Sequence, residues 1–252
     1  MADAESTPPD RSHYSYTHYA DRDVAEGFDA LRFSGPIGEL LARTQAALLT
    51  GALAPLAAKS ILDVGTGTGR APLTLAAGGA HVLGLDASAE MVRVGARRAS
   101  EARLAVLFGL ADAHALPLAN RAFDAAISLR VLMHATDWRR CLSELCRVAR
   151  WRVIVDFPAR ASFAALESGG RRIAAAMGRR TEPYRVMAEA DVRAAFASHG
   201  YRVIDVRRQF VLPIALHKKL ASAAATTAIE RSLAGVGLQR LLGSPVTMVA
   251  ER

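Results

Sequence analysis

Short apolar runs alternate with amphipathic segments through the middle of the chain, from residue 60 to residue 157. The apolar runs predict β-strands at 60–65, 81–86, 103–108, 123–129 and 151–157. The segments between them predict helices at 69–78, 88–99 and 137–149. Ser88 and Asp137 stand where two of these helices would need an N-cap. This alternation is typical of a parallel sheet covered by helices on both faces.

The segment before residue 55 has no such alternation. Residues 1–12 are polar and contain Pro8-Pro9, which predicts disorder. The aromatic segment 14–19 follows, with three of the five tyrosines of the chain. Two helices are then predicted, at 20–33 and 37–53, with Ser34-Gly35-Pro36 as the break between them.

The regular pattern also ends beyond Pro158. Residues 159–188 predict an irregular insert with helical stretches, containing Gly169-Gly170 and Pro183. A helix at 188–198 then ends at His199-Gly200, and strands are predicted at 201–211 and 246–251. Between these strands lies a second insert, at about 212–243, with helices predicted at 214–220 and 228–242. Because this insert is apolar with basic residues, it must cap a site, contact another subunit or rest on a membrane surface.

A glycine-rich turn follows the first strand of the alternating region. Asp63 ends the apolar run, and glycines stand at positions 65, 67 and 69. Glycine accepts positive φ and lets the backbone approach a ligand closely. Asp86 ends the next strand, near the spacing of about 20 residues expected for a carboxylate that binds a ribose diol. Together these features predict a nucleoside-binding α/β domain.

The position of Asp63 indicates which class of nucleoside ligand the glycine-rich turn would bind. Arg70 stands where a dinucleotide fingerprint would have its third glycine, and Asp63 lies inside the motif. An acid there suits a ligand with an ammonium and a sulfonium group and would repel a pyrophosphate. The D-x-G-x-G-x-G sequence resembles motif I of the class I S-adenosylmethionine (SAM) methyltransferases.

Further segments, in order over residues 60–157, strengthen this resemblance. Asp112-Ala113 resembles the adenine-binding acid and amide of the family, and Leu116 to Ser128 resembles its approach to the fourth strand. Val131 to His134 resembles a segment of the small-molecule and lipid branch, often called type 11. The resemblance implies a Rossmann-like three-layer sandwich with a seven-stranded, mostly parallel sheet whose last strand is antiparallel. It divides the chain into an N-terminal arm with lid helices (1–55) and a SAM-binding domain (56–252).

The resemblance also implies the site residues. SAM is the implied cofactor, no metal is predicted, and the implied SAM-binding residues are Asp63, Gly65, Thr66, Gly67, Gly69, Asp86, Ala87, Asp112, Ala113, Leu129 and Tyr19. His134 follows the fourth strand and is the candidate general base, because histidine ordinarily titrates nearest to neutral pH. The alternative is that His134 only shapes its loop. Arg130 could contact cofactor or substrate or be solvated, and His114 is interpreted as a loop residue.

Composition narrows the function classes. The 252 residues, 51% of them hydrophobic, can bury a single large core. The net charge of +8 comes from scattered basic pairs without a long run or interleaved aromatic residues, which argues against a nucleic-acid partner. Cys141 and Cys146, five residues apart, suit neither a metal site nor a redox pair. With no apolar run of membrane-span length and no signal-peptide pattern, a cytoplasmic protein is expected.

These observations predict a SAM-dependent methyltransferase that acts on a small-molecule, lipid-like or quinone-like acceptor. Peripheral membrane contact and a homodimer stay open. The alternatives are an RNA methyltransferase, a catalytically silent SAM-fold protein that serves as a partner or sensor, and, more distantly, a dinucleotide oxidoreductase. The amino-methylating DNA enzymes are excluded, because Ser128 to Val131 stands where they need a Pro-Pro stretch, and neither cysteine follows a proline as in the cytosine-C5 enzymes.

Overall fold

The computed structural model describes residues 14–177 and 184–252. The disorder predicted for residues 1–12 and the irregular backbone predicted around Pro183 lie outside these ranges. The strands are β1 Ser60–Val64, β2 His81–Asp86, β3 Val106–Leu110, β4 Phe123–Ser128, β5 Ala149–Phe157, β6 Arg202–Phe210 and β7 Ser244–Glu251. They form one sheet in the order β3-β2-β1-β4-β5-β7-β6. β7 runs antiparallel to both of its neighbours, β5 and β6, and the other neighbouring strands of this sheet are parallel, which confirms the predicted fold class.

Helices cover both faces of the sheet. In the described residues they are α1 Tyr14–His18, α2 Arg22–Phe33, α3 Gly35–Leu53, α4 Arg70–Ala77, α5 Ala89–Glu101, α6 Trp138–Val148, α7 Phe163–Ala176, α8 Glu189–Ser198, α9 Ile214–Leu220, α10 Ala223–Gly235 and α11 Leu238–Leu242. The side chains of Ser88 and Asp137 accept hydrogen bonds from the first turns of α5 and α6, as predicted. None of the helices in the described ranges is long and apolar enough to cross a membrane.

The core lies in two layers, one on each side of the sheet. Alternate residues of β5 point to opposite faces, because strand side chains have a period of two. Val153 and Val155 pack with α6 and α8, whereas Ile154 packs with α3 and α4. Both cysteines are buried on α6 with free thiols. This three-layer arrangement leaves the carboxyl ends of the parallel strands free to form a site.

Several predicted boundaries differ from the structure, and three of these differences have a clear physical reason. The break between the first two helices is a single residue, Ser34, because Gly35 and Pro36 form the first turn of α3, where proline is tolerated. The strand predicted at 103–108 runs from Val106 to Leu110, because Arg103, at φ 54°, belongs to the turn after α5. The helix predicted at 228–242 begins five residues earlier and is divided at Gly237, at φ 82°.

Candidate functional site

The sheet order creates a crevice at the carboxyl ends of β1 and β4. The chain leaves β1 towards β2 and β3 on one side, and β4 continues towards β5 on the other. Open α/β sheets bind ligands at such a switch point. A cavity of about 190 Å³, hereafter the first cavity, lies there. Of the predicted cofactor-binding residues, those that line it are Tyr19, Asp63, Gly65, Thr66, Gly67, Asp86, Ala87, Asp112, Ala113 and Leu129.

Two positions of the loop after β1 require glycine, because each has a positive φ and no room for a Cβ atom. Gly65 has φ 72°, and a Cβ atom there would lie 2.1 Å from Cγ2 of Val131. Gly69 has φ 79° at the N-cap of α4, and its Cβ would lie 2.9 Å from the ring of Phe108. Gly65 lines the first cavity, whereas Gly69 is not among its lining residues. The structure therefore gives Gly69 a packing role, and its part in cofactor binding stays a prediction.

Two buried acids stand at the ends of β1 and β2. Asp63 is only 3% exposed, and burial raises its pKa to about 7, partly opposed by the Thr66 hydroxyl. Burial also raises the pKa of Asp86, while backbone amides oppose the rise. Its Oδ2 accepts from the Gly67 amide at 2.8 Å and its Oδ1 from the Ser88 amide at 2.9 Å. These bonds fix the Asp86 carboxylate against the floor of the first cavity.

A third acid, Asp112, follows β3 and belongs to a hydrogen-bond network that the sequence did not reveal. Its Oδ1 contacts Nδ1 of His114 at 2.7 Å, and its Oδ2 accepts from the Tyr16 hydroxyl at 2.8 Å. Burial would raise the pKa of Asp112, but the bonds from His114 and Tyr16 lower it to about 2. His114 also contacts Thr136 and the Asp137 amide through Nε2. Since His114 is 4% exposed, it is a buried organising residue of this loop.

The N-terminal arm contributes side chains to the wall of the first cavity. Tyr19 lies edge-on to Phe28 and to His134, with ring centroids 6.1 and 6.3 Å away. The Ser88 hydroxyl donates to the Tyr19 carbonyl at 2.6 Å. On α2, Asp29 accepts from the Thr68 hydroxyl at 2.9 Å. These contacts place the arm over the glycine loop.

A second cavity, of about 370 Å³, adjoins the first. The residues that line both cavities are Arg32, Phe33, Gln45, Arg130 and His134. Apolar side chains that line only the second include Leu41, Met133, Phe157, Phe163, Phe210, Val211, Leu212 and Ile214. The predicted catalytic residue His134 thus lies at the boundary between a cavity with several acids and a mostly apolar one.

Sequence analysis missed Asp156, near the carboxyl end of β5. Asp156 lines the second cavity and is 3% exposed. Burial raises its pKa to about 6, although the Arg130 amide and charge oppose the rise. The sequence did contain a signal for this residue, because Asp156 is an acid near the end of the apolar run 151–157. Asp63 and Asp86 stand at the same place in their own strands.

The start of the insert between β6 and β7 forms a wall of the second cavity. Leu212, Ile214 and Lys218 line it, so the insert lies against this site. A buried polar cluster holds this wall in place. Glu230 on α10 accepts from the amides of Val211 and Leu212 and contacts Nε2 of His217, while Nδ1 of His217 contacts Thr226. For simplicity we call these three side chains, Glu230, His217 and Thr226, the insert cluster.

Known proteins are similar to this chain in sequence, and the family match covers its central part, which contains the glycine loop and the three acids. Residues 61–151 match the family model described as a methyltransferase domain. A demethylmenaquinone methyltransferase of Clavibacter sepedonicus is 43% identical over 102 residues, which cover 40% of this chain and 41% of that protein. One from Thermus thermophilus is 39% identical over 107 residues, covering 40% and 49%. The chain therefore matches less than half the length of these relatives.

Solved structures resemble the chain over a greater length. Magnesium protoporphyrin IX methyltransferase from Synechocystis PCC 6803, with bound SAH, has a TM-score of 0.65 at 20% identity and covers 96% of this chain and 97% of its own. Geranyl diphosphate C-methyltransferase from Streptomyces coelicolor A3(2) has a TM-score of 0.62 at 19% identity, covering 83% and 76%. At these identities the likeness concerns the fold. The match of residues 61–151 thus concerns a methyltransferase domain, and the described residues have the fold of the class I methyltransferases.

Proposed function

We propose that the chain binds SAM in the first cavity and transfers its methyl group to a small apolar or lipid-like acceptor in the second. The observation that carries this proposal is the set of three acids at the ends of β1, β2 and β3, around one glycine-lined cavity. Bound SAM would supply an electrophilic methyl group and its own leaving group.

The three acids fit different parts of that cofactor. Each Asp86 oxygen accepts one amide hydrogen and keeps acceptor capacity for a ribose hydroxyl. A cationic ligand beside Asp63 would favour its ionised form and offset the rise in pKa that burial causes. Asp112 and the Ala113 amide would bind the adenine edge.

The second cavity supports an apolar acceptor. It is lined mostly by aliphatic and aromatic side chains, and the insert and α3 enclose it. RNA binding would need an open basic groove with stacking side chains, so the cavity favours a small molecule. The names of two relatives agree in kind, since they give a small molecule, demethylmenaquinone, as what is methylated. The chain's own part in the reaction is to exclude water, to position the two ligands and, through His134, to accept a proton from a hydroxyl acceptor.

Isothermal titration calorimetry tests the cofactor assignment. SAM should bind the unaltered protein, and Asp86→Ala should weaken it by about tenfold or more, because hydrogen bonds to a charged group contribute about 1.5–3 kcal/mol. Asp124→Ala is the matched control: Asp124 also accepts two hydrogen bonds, from the Ser60 amide and hydroxyl, but at the opposite edge of the sheet. Tight NAD binding without a response to SAM would refute the proposal.

Turnover separates an enzyme from a silent SAM-fold protein. Release of SAH would be measured with reduced naphthoquinones, porphyrins and isoprenoid diphosphates as acceptors, the classes that the names of the similar proteins suggest. SAM binding without turnover on any acceptor, RNA included, would favour a sensor or partner protein. Vesicle sedimentation would show whether the protein contacts membranes, and light scattering would show whether it forms a homodimer.

A further inference from the structure

Asp156 has a position that packing alone does not explain. Its neighbours Ile154, Val155 and Phe157 are fully buried apolar residues in the middle of the sheet. A carboxylate in such a run costs free energy unless hydrogen bonds compensate for the lost water. Within residues 14–177 and 184–252, the Asp156 side chain accepts one hydrogen bond, which the Arg130 amide donates to Oδ1. One of about four acceptor positions is thus used.

The Arg130 amide is held in an unusual place. Arg130 has φ 63°, a left-handed conformation that costs a residue other than glycine free energy and persists where its surroundings hold it. Arg130 lines both cavities, whereas Asp156 lines only the second. One oxygen of Asp156 therefore supports the boundary between the cavities, and the other is available to a ligand in the second cavity.

We propose that Asp156 recognises the acceptor by accepting a hydrogen bond from an N–H or O–H group carried on an apolar ring. This deepens the proposed function and rests on it. The apolar lining binds the body of such a molecule, and the carboxylate orients its polar edge towards the boundary where His134 lies. Asp156 rejects isosteres without the donor, because their binding would leave the second oxygen of a buried carboxylate without water or a partner.

One substitution separates recognition of the acceptor from the support of the Arg130 amide. In Asp156→Asn the side-chain oxygen can still accept from the Arg130 amide, and the NH₂ group then faces the cavity. The support of Arg130 is kept, while the ligand-facing acceptor becomes a donor. A role limited to holding Arg130 would leave ligand selectivity unchanged in this variant.

Indole and benzofuran provide the test, because they have nearly the same shape and only indole has a ring N–H. Calorimetry with the SAH-bound protein should show indole binding about tenfold more tightly than benzofuran. Asp156→Asn should abolish or reverse this preference. Glu167→Gln should keep it, since Glu167 lines the same cavity but is paired with Arg171 at 2.7 Å.

Equal affinity for the two compounds in the unaltered protein, a preference that survives in Asp156→Asn, or binding of neither compound would overturn the proposal. Thermal unfolding of Asp156→Asn checks that the variant is folded. SAM binding is titrated separately in the same samples. Loss of SAM binding would contradict the cofactor assignment, whereas loss of the preference for indole alone would contradict acceptor recognition by Asp156.

Discussion

Replacing Glu230 with alanine should loosen the insert without affecting the first cavity. Its carboxylate accepts from the Val211 amide at 2.8 Å and the Leu212 amide at 3.0 Å, and contacts His217 Nε2 at 2.8 Å. A buried donor left without a partner costs about 1–3 kcal/mol. Val211 is buried and Leu212 half-buried, so water can replace the bond at Leu212 but not readily at Val211. We expect a loss of about 2–4 kcal/mol in the local stability of the insert.

Hydrogen exchange measures this loss directly. An opening free energy lower by 2–4 kcal/mol corresponds to exchange about 30-fold to 1,000-fold faster in α9 and α10. Amides of β1, β2 and β4 should keep their protection, because the neighbouring strands of these three are one another, β3 and β5, rather than the insert. SAM affinity should stay unchanged, since residues 212–243 do not line the first cavity.

Glu39→Ala is the control for a lost surface ion pair. Glu39 contacts Arg43 at 3.4 Å with both side chains about two-thirds exposed, so its loss should change stability by no more than about 0.5 kcal/mol. Full protection of α9 and α10 in Glu230→Ala would refute the reasoning. A fall in SAM affinity as large as the loss of stability would also contradict it, because the insert would then be coupled to the first cavity.

Three further predictions concern the site itself. His134→Ala should lower turnover on a hydroxyl acceptor by about 10²–10⁴-fold at unchanged SAM affinity, and unchanged turnover would leave His134 a loop residue. Tyr16→Phe removes the 2.8 Å bond to Asp112, so stopped-flow measurements should show SAM dissociating about tenfold faster, and an unchanged rate would contradict an anchoring role. The raised pKa of Asp63, about 7 against an ordinary 3.8, means that the folded state holds this proton more tightly than the unfolded state. Without ligand, Asp63 should therefore make the unfolding free energy fall as pH rises from about 4 to about 7, by up to about 1.4 kcal/mol per unit, and denaturant titrations of Asp63→Asn should show a flatter profile.

The parallel strands and the glycine loop were predictable because their signals are local. β2 was predicted with both ends correct, since its apolar run ends in an acid two residues before a helix cap. β3 was misplaced because it is an edge strand with Leu107 73% exposed, so its burial pattern is weak. Gly237 was overlooked as a helix break because glycine within an alanine-rich segment is a weak signal.

The second cavity could not be predicted from sequence in the same way. Its walls come from residues as distant along the chain as Leu41, Asp156 and Pro245. Each looks like an ordinary core or turn residue by itself, and only the fold brings them together. The partners of His114 within its loop could not be predicted for a similar reason, since three of them, Tyr16, Thr136 and Asp137, are more than 20 residues away in the chain.

The position of the insert between β6 and β7 bears on how such a protein could acquire new acceptors. Both of its ends join neighbouring antiparallel strands, so its length can change without shifting the register of the parallel strands. Closing a loop twice as long costs only about 0.6 kcal/mol. A chimera that receives residues 212–243 from a second protein of the same fold would exchange one wall of the second cavity while the glycine loop keeps its sequence. This hairpin is therefore a natural place for the diversification of acceptor choice, in evolution and in engineering.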